Sequence, residues 1–346
     1  MKHSVMIVDD SVLMRKLLKE IIEESDKLEV VATATDGLDA LDKFREYQPD
    51  IVTLDIEMPK MNGIICLEQL LKIKPVPVII ISAYSKKGSS VSVKALELGA
   101  FDIIEKPSGS VSLDIAGKAQ EIVKKLENAV SIDIEKLTEP PKIKLPPVKA
   151  PVIVQRPAKR LVAIASSTGG PKTLMHIIPY LDPGIECAYA VVQHMPEGFT
   201  RSFANRLNSL SQINIFEAET GQKLNNGDCV IAKGGWHLIF NEKGIVELDD
   251  SPPYHSVKPS ADIMMLSAVR YFKNRIIGIV LTGMGKDGSE GVKMIKMSGG
   301  YNIAESEKSA VIYGMPKYAV KTGDVDIVAD KQSIAEKIEE LINALG

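Results

Sequence analysis

The chain has 346 residues, of which 45% are hydrophobic and 25% charged, and its formal net charge at pH 7 is -3. Such a composition is typical of a folded globular protein rather than a disordered or fibrous one, and the length favours two domains. The weak net charge gives no reason to expect a nucleic acid or an anionic membrane surface as partner.

The compartment is predicted from the N-terminal segment, the hydropathy and the cysteines. Acidic residues at Asp9 and Asp10 come too early for a signal peptide, and no segment approaches the roughly 18 uninterrupted apolar residues of a membrane span. The three cysteines are odd in number and form no CxxC pair, which favours a reducing compartment over a disulfide framework. The sequence therefore predicts a cytoplasmic protein without direct membrane insertion.

In about the first 125 residues, short β-branched runs alternate with amphipathic helical patterns. The predicted strands are residues 4–8, 30–33, 51–54, 78–81 and 102–104. Because this alternation is typical of βαβ units, it predicts a doubly wound α/β domain around a parallel sheet.

Acidic side chains follow two of these strands. Asp9 and Asp10 come directly after the first strand and Asp55 after the third, and the carboxyl ends of parallel strands meet at one edge of a sheet. Three clustered carboxylates repel one another, so their convergence predicts a hard divalent cation such as Mg²⁺. Ser82 and Lys106 end the fourth and fifth strands and can reach a phosphoryl group on Asp55. Taken one at a time, each of these residues is as readily explained as a solvated loop residue.

The full set resembles the response-regulator receiver family. The matching residues are the pair Asp9-Asp10, Asp55 within Leu-Asp-Ile-Glu-Met-Pro-Lys-Met-Asn-Gly, the pair Ser82-Ala83 and the pair Lys106-Pro107. The resemblance implies a flavodoxin-like receiver domain that accepts a phosphoryl group on Asp55 from a histidine kinase. The contacts that it implies are Mg²⁺ held by Asp10, Asp55 and the backbone carbonyl of Glu57, with Asp9 nearby, and the phosphoryl group contacted by Ser82 and Lys106.

A proline-rich segment separates this domain from the rest of the chain. Prolines stand at positions 140, 141, 146, 147, 151 and 157 among lysines and valines. So many prolines cannot continue a helix or a central strand, and they favour an extended spacer. The prediction is a receiver over residues 1–125, a linker over 126–158 and a second domain over 159–346.

Strand-like and helical patterns alternate again beyond the linker. The predicted strands are residues 161–165, 187–192, 276–281 and 301–304, with helices at 199–210 and 262–272 among others. A β-rich insertion is predicted at residues 213–248, because turn signals recur there. The pattern predicts a second doubly wound α/β domain with a mainly parallel sheet.

The first strand of this domain runs into a candidate nucleophile segment, residues 165–171, with the sequence Ala-Ser-Ser-Thr-Gly-Gly-Pro. Centred on Ser167, the frame Ala-x-Ser-x-Gly is close to the GxSxG turn that presents a nucleophilic serine between a strand and a helix. Centred on Ser166, the frame Ile-x-Ser-x-Thr is too bulky, so Ser167 is the better nucleophile. The same run also suits a phosphate-cradling loop, and this segment alone favours neither interpretation.

Two further strands deliver a histidine and an aspartate to the same edge. His194 follows the second strand of the domain, and Asp287 lies in the loop after the third. Taken alone, a histidine in this setting is more often structural than catalytic. Together, the positions allow Asp287 to orient His194 while His194 accepts the Ser167 proton. Backbone amides near Thr168 or Met284 are the candidate donors to an oxyanion.

Two rival functions compete with this interpretation. A Gly-x-Gly-x-x-Gly motif at residues 283–288 follows a strand and matches the dinucleotide fingerprint, and Glu305 or Glu307 has the spacing of a ribose-binding acid. A nucleotide-dependent oxidoreductase, however, gives no role to the serine or the histidine. A DNA-binding second domain needs a basic recognition helix, whereas residues 331–345 mix Lys with Glu.

Longer motifs resemble the CheB methylesterase family. They are Ser167-Thr168-Gly169-Gly170, Gln193-His194-Met195-Pro196-x-Gly198-Phe199-Thr200, Leu281-Thr282-Gly283-Met284-Gly285-x-Asp287-Gly288 and Gly314-Met315-Pro316, in family order. The resemblance covers about residues 160–345. It implies a Rossmann-like hydrolase domain with a triad of Ser167, His194 and Asp287 that uses no cofactor.

The same resemblance implies a role in chemotactic adaptation. The enzyme is expected to demethylate glutamate γ-methyl esters on methyl-accepting chemoreceptors, releasing methanol, and some relatives also deamidate receptor glutamines. The implied partners are the chemoreceptors and a chemotaxis histidine kinase. The receiver is expected to cover the catalytic face until Asp55 is phosphorylated.

Overall fold

The computed structural model describes residues 2–83, 86–106, 112–130, 132, 136 and 156–345. Internal contacts divide the chain into two compact units, Met1–Glu139 and Pro140–Gly346. Most of the predicted linker at 126–158 lies outside the described residues, so the predicted domain boundaries remain predictions. No helix in the described part of the chain is long and apolar enough to cross a bilayer.

The first unit is a five-stranded sheet flanked by helices. In chain order its elements are β1 (His3–Val8), α1 (Val12–Glu23), β2 (Leu28–Ala34), α2 (Gly37–Tyr47), β3 (Ile51–Leu54), α3 (Gly63–Ile73), β4 (Val78–Ser82), α4 (Lys86–Leu98), β5 (Asp102–Glu105) and α5 (Ser112–Ala129). The strands lie in the order β2-β1-β3-β4-β5, and every neighbouring pair is parallel. This is the strand order of flavodoxin-like sheets, which confirms the predicted fold of this half.

Burial explains why these strands form. Every residue of β3 and β4 is buried, which is the pattern of parallel strands covered by helices on both faces. Three of these helices begin at side-chain caps, including α3, where the Asn62 side chain accepts the Ile65 amide. The Ser11 hydroxyl accepts the Met14 amide at the start of α1, and the Asp36 carboxylate caps α2. With its faces covered, the sheet presents a site at the carboxyl ends of its strands.

The second unit is a seven-stranded sheet with a separate hairpin. Its elements are β6 (Leu161–Ser166), α6 (Gly170–Ile177), a short 3-10 helix (Ile178–Tyr180), β7 (Ala188–Gln193), α7 (Phe199–Leu210), β8 (Asn214–Glu217), β9 (Asp228–Ile231), β10 (His237–Phe240), β11 (Val246–Asp249), α8 (Ala261–Phe272), β12 (Ile276–Val280), α9 (Ser289–Met297), β13 (Tyr301–Glu305), α10 (Met315–Lys321), β14 (Ile327–Ala329) and α11 (Ile334–Ala344). The sheet order is β14-β13-β12-β6-β7-β9-β8, with parallel neighbours throughout. The predicted α/β fold with a mainly parallel sheet is thereby confirmed.

The centre of this sheet positions the candidate site. β6 is hydrogen-bonded to β12 on one side and to β7 on the other. Because the three strands run in the same direction, the loops that follow them meet at one edge. Ser167, His194 and Asp287 lie in those three loops, after β6, β7 and β12 respectively.

The predicted β-rich insertion at residues 213–248 is only partly separate from the main sheet. β8 and β9 extend that sheet as parallel strands, whereas β10 and β11 form an antiparallel hairpin of their own. Burial accounts for the difference, since β9 is buried at every position, as suits an interior parallel strand. Turn signals mark where a chain reverses, but not the sheet in which the flanking strands pair.

Candidate functional sites

The first candidate site lies at the carboxyl ends of β1, β3 and β5. Asp9, Asp55 and Lys106 directly follow these three strands. The Lys106 ammonium lies 2.9 Å from Asp9 Oδ2 and 2.8 Å from Asp55 Oδ2. Asp9 and Asp55 are 1% and 3% exposed. A single cation thus offsets the repulsion between two buried acids.

The charge of Asp55 is set by competing effects. Burial raises its pKa, the hydrogen bond and charge of Lys106 lower it, and Asp9 raises it again, so that the pKa lies above its ordinary value. Burial by itself would lower the pKa of Lys106, but its contacts with Asp55 and Asp9 outweigh burial and raise it. Additional positive charge at this site would favour the ionised form of Asp55.

The remaining residues predicted for this site lie close by. One carboxylate oxygen from each of Asp9, Asp10 and Asp55 lies within 4.8 Å of the others, a spacing at which one cation can contact all three. The Glu57 amide donates to Asp55 Oδ1 at 3.2 Å. Ser82 is buried at the end of β4, where its hydroxyl donates to the next backbone carbonyl. The carboxylates therefore fit a hard divalent cation, while the Glu57 carbonyl and the Ser82 hydroxyl stay predicted contacts.

The second candidate site lies at the carboxyl ends of β6, β7 and β12. His194 Nε2 and Asp287 Oδ2 are 2.8 Å apart, so the structure joins these two predicted residues directly. Asp287 is 2% exposed, whereas the His194 side chain is 14% exposed. The imidazole is therefore held by a buried carboxylate while part of its ring stays accessible to solvent.

Asp287 is held at the N-terminus of α8. Its Oδ1 accepts the Ser260 hydroxyl at 2.7 Å and the Asp262 amide at 3.0 Å, and its Oδ2 accepts the Ala261 amide at 2.7 Å. Amides at a helix N-terminus favour a negative charge. Together with His194, these donors hold the Asp287 carboxylate in position and favour its ionised form.

The same contacts shift the pKa values of two neighbouring acids, Asp287 and Asp262, in opposite directions. Burial by itself would raise the pKa of Asp287, but the hydrogen bond and charge of His194 and the helix amides outweigh burial and hold it below its ordinary value. Burial and the neighbouring Asp287 raise the pKa of Asp262. Asp287 is thus the acid that stays ionised, and an ionised carboxylate can orient His194 and stabilise its positive charge.

Ser167 lies in the turn between β6 and α6. Its amide donates to the Thr282 carbonyl at 3.0 Å. Gly169 adopts a φ of +78° in this turn, a conformation that suits glycine. Gly283 approaches so closely from the loop after β12 that a Cβ there would lie 2.6 Å from the Ser167 Cβ. The serine is therefore held against the loop that leads to Asp287.

Gln193 joins the serine turn to the histidine. Its side-chain amide donates to the Ser167 carbonyl at 2.9 Å and to the His194 carbonyl at 3.0 Å, and its Oε1 accepts the Ser166 hydroxyl at 2.8 Å. Within the described residues, no hydrogen bond links the Ser167 hydroxyl to the His194 ring. The structure thus brings Ser167 to the edge that carries His194 without closing that contact, which in many enzymes tightens only around a substrate.

The predicted oxyanion donors Thr168 and Met284 lie on the two segments that meet here. Thr168 is buried, and its carbonyl accepts the Thr282 hydroxyl at 3.0 Å. Met284 is half-buried and follows Gly283, whose backbone packs on Ser167. Both backbones therefore lie near the candidate nucleophile, and their role as donors stays a prediction.

Glu305, one of the acids that the dinucleotide interpretation assigns to a ribose, is used inside the fold. It is fully buried and accepts the Thr282 amide at 2.8 Å and the Ser309 hydroxyl at 2.9 Å. Thr282 lies in the loop that carries Asp287. The Glu305 carboxylate therefore holds the loop that leads to Asp287. Because it is buried and already hydrogen-bonded there, it is a poor candidate for binding a ribose, which weakens the oxidoreductase interpretation.

Sequence reasoning gave Gln193 no role beyond its place in a family motif, and it missed the turn at residues 260–262. Ser260 carries a readable signal, because a serine just before a helical pattern is a frequent N-cap. Nothing local indicates that Asp287 shares that cap, since the loop after β12 and the start of α8 meet only in the folded unit. The role of Gln193 likewise follows only once β6 and β7 are known to be neighbours.

Comparison with known proteins finds both halves of the chain in described families. The protein-family model described as CheB methylesterase matches residues 162–338. The family model described as response regulator receiver domain matches residues 5–116. A relative from Pyrococcus abyssi, named protein-glutamate methylesterase/protein-glutamine glutaminase, is 42% identical over 349 residues, covering 99% of this chain and 95% of its own.

A second relative, from Syntrophomonas wolfei, is named protein-glutamate methylesterase/protein-glutamine glutaminase 1 and is 43% identical over 351 residues, covering 99% of each chain. Among solved structures, the crystal structure of the Thermotoga maritima CheB methylesterase catalytic domain is 42% identical with a TM-score of 0.51. It covers 53% of this chain and 98% of that one.

Proposed function

The chain belongs to the CheB methylesterase family and carries a response regulator receiver domain, and we propose on that basis that it removes methyl groups from glutamate γ-methyl esters of chemoreceptors. The reaction is an ester hydrolysis that releases methanol and serves chemotactic adaptation. The observation that carries the proposal is the His194–Asp287 hydrogen bond beside the Ser167 turn.

Ser167 is the proposed nucleophile. Its hydroxyl oxygen attacks the ester carbonyl carbon while its proton passes to His194, and Asp287 stabilises the imidazolium that forms. Because His194 Nε2 faces Asp287, Nδ1 is the atom proposed to accept the proton. The methoxy oxygen then leaves as methanol with that proton, and water hydrolyses the acyl-serine to give the receptor's glutamate carboxylate and restore the Ser167 hydroxyl.

The tetrahedral intermediate needs hydrogen-bond donors for its oxyanion. The proposed donors are the backbone amides of Thr168 and Met284, which lie on the segments that meet at the serine. Removing one such donor typically lowers kcat by about 10²–10³-fold. Backbone amides supply this stabilisation without any cofactor, which is the proposed situation in the esterase domain.

We extend the proposal to receptor glutamines. The relatives' names include protein-glutamine glutaminase. In a glutamine side chain, Ser167 would attack the amide carbonyl carbon, which is equivalent to the ester carbonyl carbon. Ammonia then leaves in place of methanol. The amide nitrogen must be protonated as it leaves, and His194 is placed to supply that proton. Deamidation is expected to be slower than demethylation at the same receptor position.

Asp55 is the proposed phosphorylation site, and Mg²⁺ is the proposed ion of the receiver. Asp9, Asp10 and Asp55 have carboxylate oxygens close enough to hold it, and the ion supplies positive charge for phosphoryl transfer when bound. Lys106 contacts Asp55 and is placed to pair with phosphoryl oxygens. The proposed phosphodonor is a chemotaxis histidine kinase, and the proposed compartment is the cytoplasm.

The proposed sense of control is inhibitory, with the receiver restraining the esterase until Asp55 is phosphorylated. Deleting residues 1 to about 150 should then raise the basal esterase rate. The catalytic domain of the T. maritima relative was solved on its own, which supports independent folding of this half. An unchanged rate after the deletion would argue against inhibition by the receiver.

Methanol release from methylated receptor membranes tests the proposed function. Ser167→Ala should abolish release, whereas Ser209→Ala, which removes an exposed hydroxyl from α7, should leave it unchanged. A small phosphodonor should raise release by the intact chain but not by Asp55→Asn. Normal release by Ser167→Ala would refute the assignment of the nucleophile.

A further inference from the structure

Three side chains of types that can coordinate a metal ion lie close together next to the His194–Asp287 pair. His255 stands in the loop before α8, Asp262 in the first turn of α8 and Glu290 in the first turn of α9. One ligand atom of each lies within 4.8 Å of the others. The side chains of these three residues, named here the His255 cluster, take no part in the proposed hydrolysis.

The spacing of the His255 cluster suits a shared ion. His255 Nε2 lies 3.2 Å from Glu290 Oε1 and 3.7 Å from Asp262 Oδ2. Ligand atoms bound to one four-coordinate metal at about 2.0–2.2 Å are separated from one another by roughly 3.3–3.6 Å. With the third separation within 4.8 Å, side-chain adjustments would bring all three atoms into the coordination sphere of a single ion.

Asp262 gives an independent indication of a ligand. Its side chain is fully buried, and its Oδ1 accepts the Gly291 amide at 2.8 Å. Its Oδ2, which faces His255, accepts no hydrogen bond from the described part of the chain. A buried carboxylate oxygen without a donor is costly. A cation bound between Asp262 and His255 would satisfy it.

Neighbouring groups hold the other two residues in place. The Tyr254 hydroxyl donates to Glu290 Oε2 at 2.7 Å, as outer partners of metal-bound carboxylates commonly do. The Tyr254 and His255 rings are in contact, with centroids 4.2 Å apart. His255 and Ser256 also have positive φ angles of 50° and 64°, so the loop adopts an unfavourable conformation where His255 meets the carboxylates.

We propose that the His255 cluster binds one divalent transition-metal ion of the zinc type. Imidazole nitrogen and carboxylate oxygen are donors that Zn²⁺ takes in three-ligand sites, in which water fills the fourth position. Mg²⁺ and Ca²⁺ favour oxygen ligands alone, so the imidazole distinguishes this site from the carboxylates of the receiver.

The metal site is connected to the catalytic pair through Asp262. The Asp262 amide donates to Asp287 Oδ1 at 3.0 Å, and Asp287 holds His194. A positive ion close to Asp287 weakens the attraction between that carboxylate and a protonated His194. This consequence rests on the proposed function, and it predicts that bound zinc lowers kcat/KM for ester hydrolysis several-fold.

Metal binding is tested on the full-length chain, with excess Mg²⁺ present to occupy the receiver carboxylates. Calorimetry should show one equivalent of bound Zn²⁺, and Co²⁺ in its place should give the visible absorption of a four-coordinate ion. His255→Asn removes the imidazole and keeps a residue that tolerates positive φ. Glu290→Gln removes a ligand at a half-exposed position, where the fold should be unaffected. Each variant should weaken binding at least about tenfold.

The matched control is His3→Asn, which removes an exposed histidine that pairs with Asp50 in the first unit. It should bind Zn²⁺ as tightly as the unaltered chain. No bound equivalent, or equal affinity in the unaltered chain and all three variants, overturns the metal site. Zinc binding with unchanged kcat/KM overturns the connection to the catalytic pair. An unaltered chain that binds zinc but releases no methanol overturns the proposed function and leaves the metal site standing.

Discussion

His194 presents Nε2, and not Nδ1, to Asp287, with 2.8 Å between that nitrogen and Oδ2. An ionised carboxylate only accepts hydrogen bonds, so the imidazole proton lies on Nε2 and Nδ1 is the basic nitrogen. Asp287 therefore selects the tautomer of the imidazole as well as its orientation. Asp287, which has no proposed contact with the ester, therefore determines that Nδ1 of His194 is the proposed base.

Replacing Asp287 by asparagine should lower kcat for methanol release by about 10³–10⁴-fold. An amide facing His194 favours the wrong tautomer and removes the charge that stabilises the imidazolium. Initial rates on methylated receptor membranes measure the effect. Ser260→Ala, which removes one of several donors to Asp287, should cost much less. A near-normal kcat for Asp287→Asn would contradict the proposed role.

Gln193→Met keeps the side-chain volume and removes three hydrogen bonds. We expect kcat to fall about 10²-fold with little change in KM, because Ser167 and His194 lose their fixed separation. The unpaired polar groups should also lower the free energy of unfolding by about 1–3 kcal/mol, measured by urea denaturation. Ser166→Ala removes one of the three bonds and should keep more activity. Equal activity in the two variants would argue against a positioning role for Gln193.

Gly283→Ala adds a methyl group that would lie 2.4 Å from Met315 Sδ and 2.6 Å from the Ser167 Cβ. We expect the serine turn to shift, lowering kcat by at least about tenfold, at a cost of about 1–3 kcal/mol in unfolding free energy. Gly184→Ala is the control, since its added Cβ would lie 3.2 Å from the exposed Asp182 side chain. If both variants keep full activity, the close approach of Gly283 does not position the serine.

The Asp36 carboxylate should make the stability of the first unit depend on pH. The hydrogen bond from Lys60 and the amides of Asp39 and Leu38 hold its pKa below the ordinary value. An acid whose pKa is lowered by folding stabilises the fold above its unfolded pKa, and this contribution disappears as the pH falls through the folded pKa.

Asp36→Asn keeps the cap acceptor of α2 but removes the charge. It should therefore lower the free energy of unfolding by about 0.5–1 kcal/mol at neutral pH and by almost nothing in strong acid. Urea denaturation at the two pH values measures the difference. A deficit that stays constant with pH would mean that the carboxylate charge is not responsible.

Lys106→Met should tighten Mg²⁺ binding to the receiver several-fold, because the ammonium that offsets Asp9 and Asp55 is lost. The same variant should no longer respond to a phosphodonor, since the phosphoryl group loses its cationic partner. Calorimetry and methanol release measure the two effects. Lys60→Met removes an exposed lysine from the same unit and should leave Mg²⁺ affinity unchanged. An unchanged affinity in Lys106→Met would show that the lysine does not compete with the ion.

The type of both sheets was predictable from the sequence, because apolar runs and turn residues are local signals. The positions of Ser167, His194 and Asp287 were predictable too, since parallel strands direct their following loops to one edge. The pairing of β8 and β9 with the main sheet was not, and neither were the contacts of Gln193 or the helix cap on Asp287. These depend on which strands and helices become neighbours, and the Gln193 bond to Ser167 spans 26 residues of the chain.

The central place of β6 has a consequence for synthesis of the chain. β7 follows β6 after α6 and a short 3-10 helix, but β12, the other neighbour of β6, begins only at Ile276. As the chain leaves the ribosome, a fully buried strand therefore has one unpaired edge until β12 emerges, and an apolar unpaired edge invites aggregation. The strand that closes this edge also leads into Asp287, so a nascent chain gains the carboxylate that holds His194 only when β6 is paired on both sides.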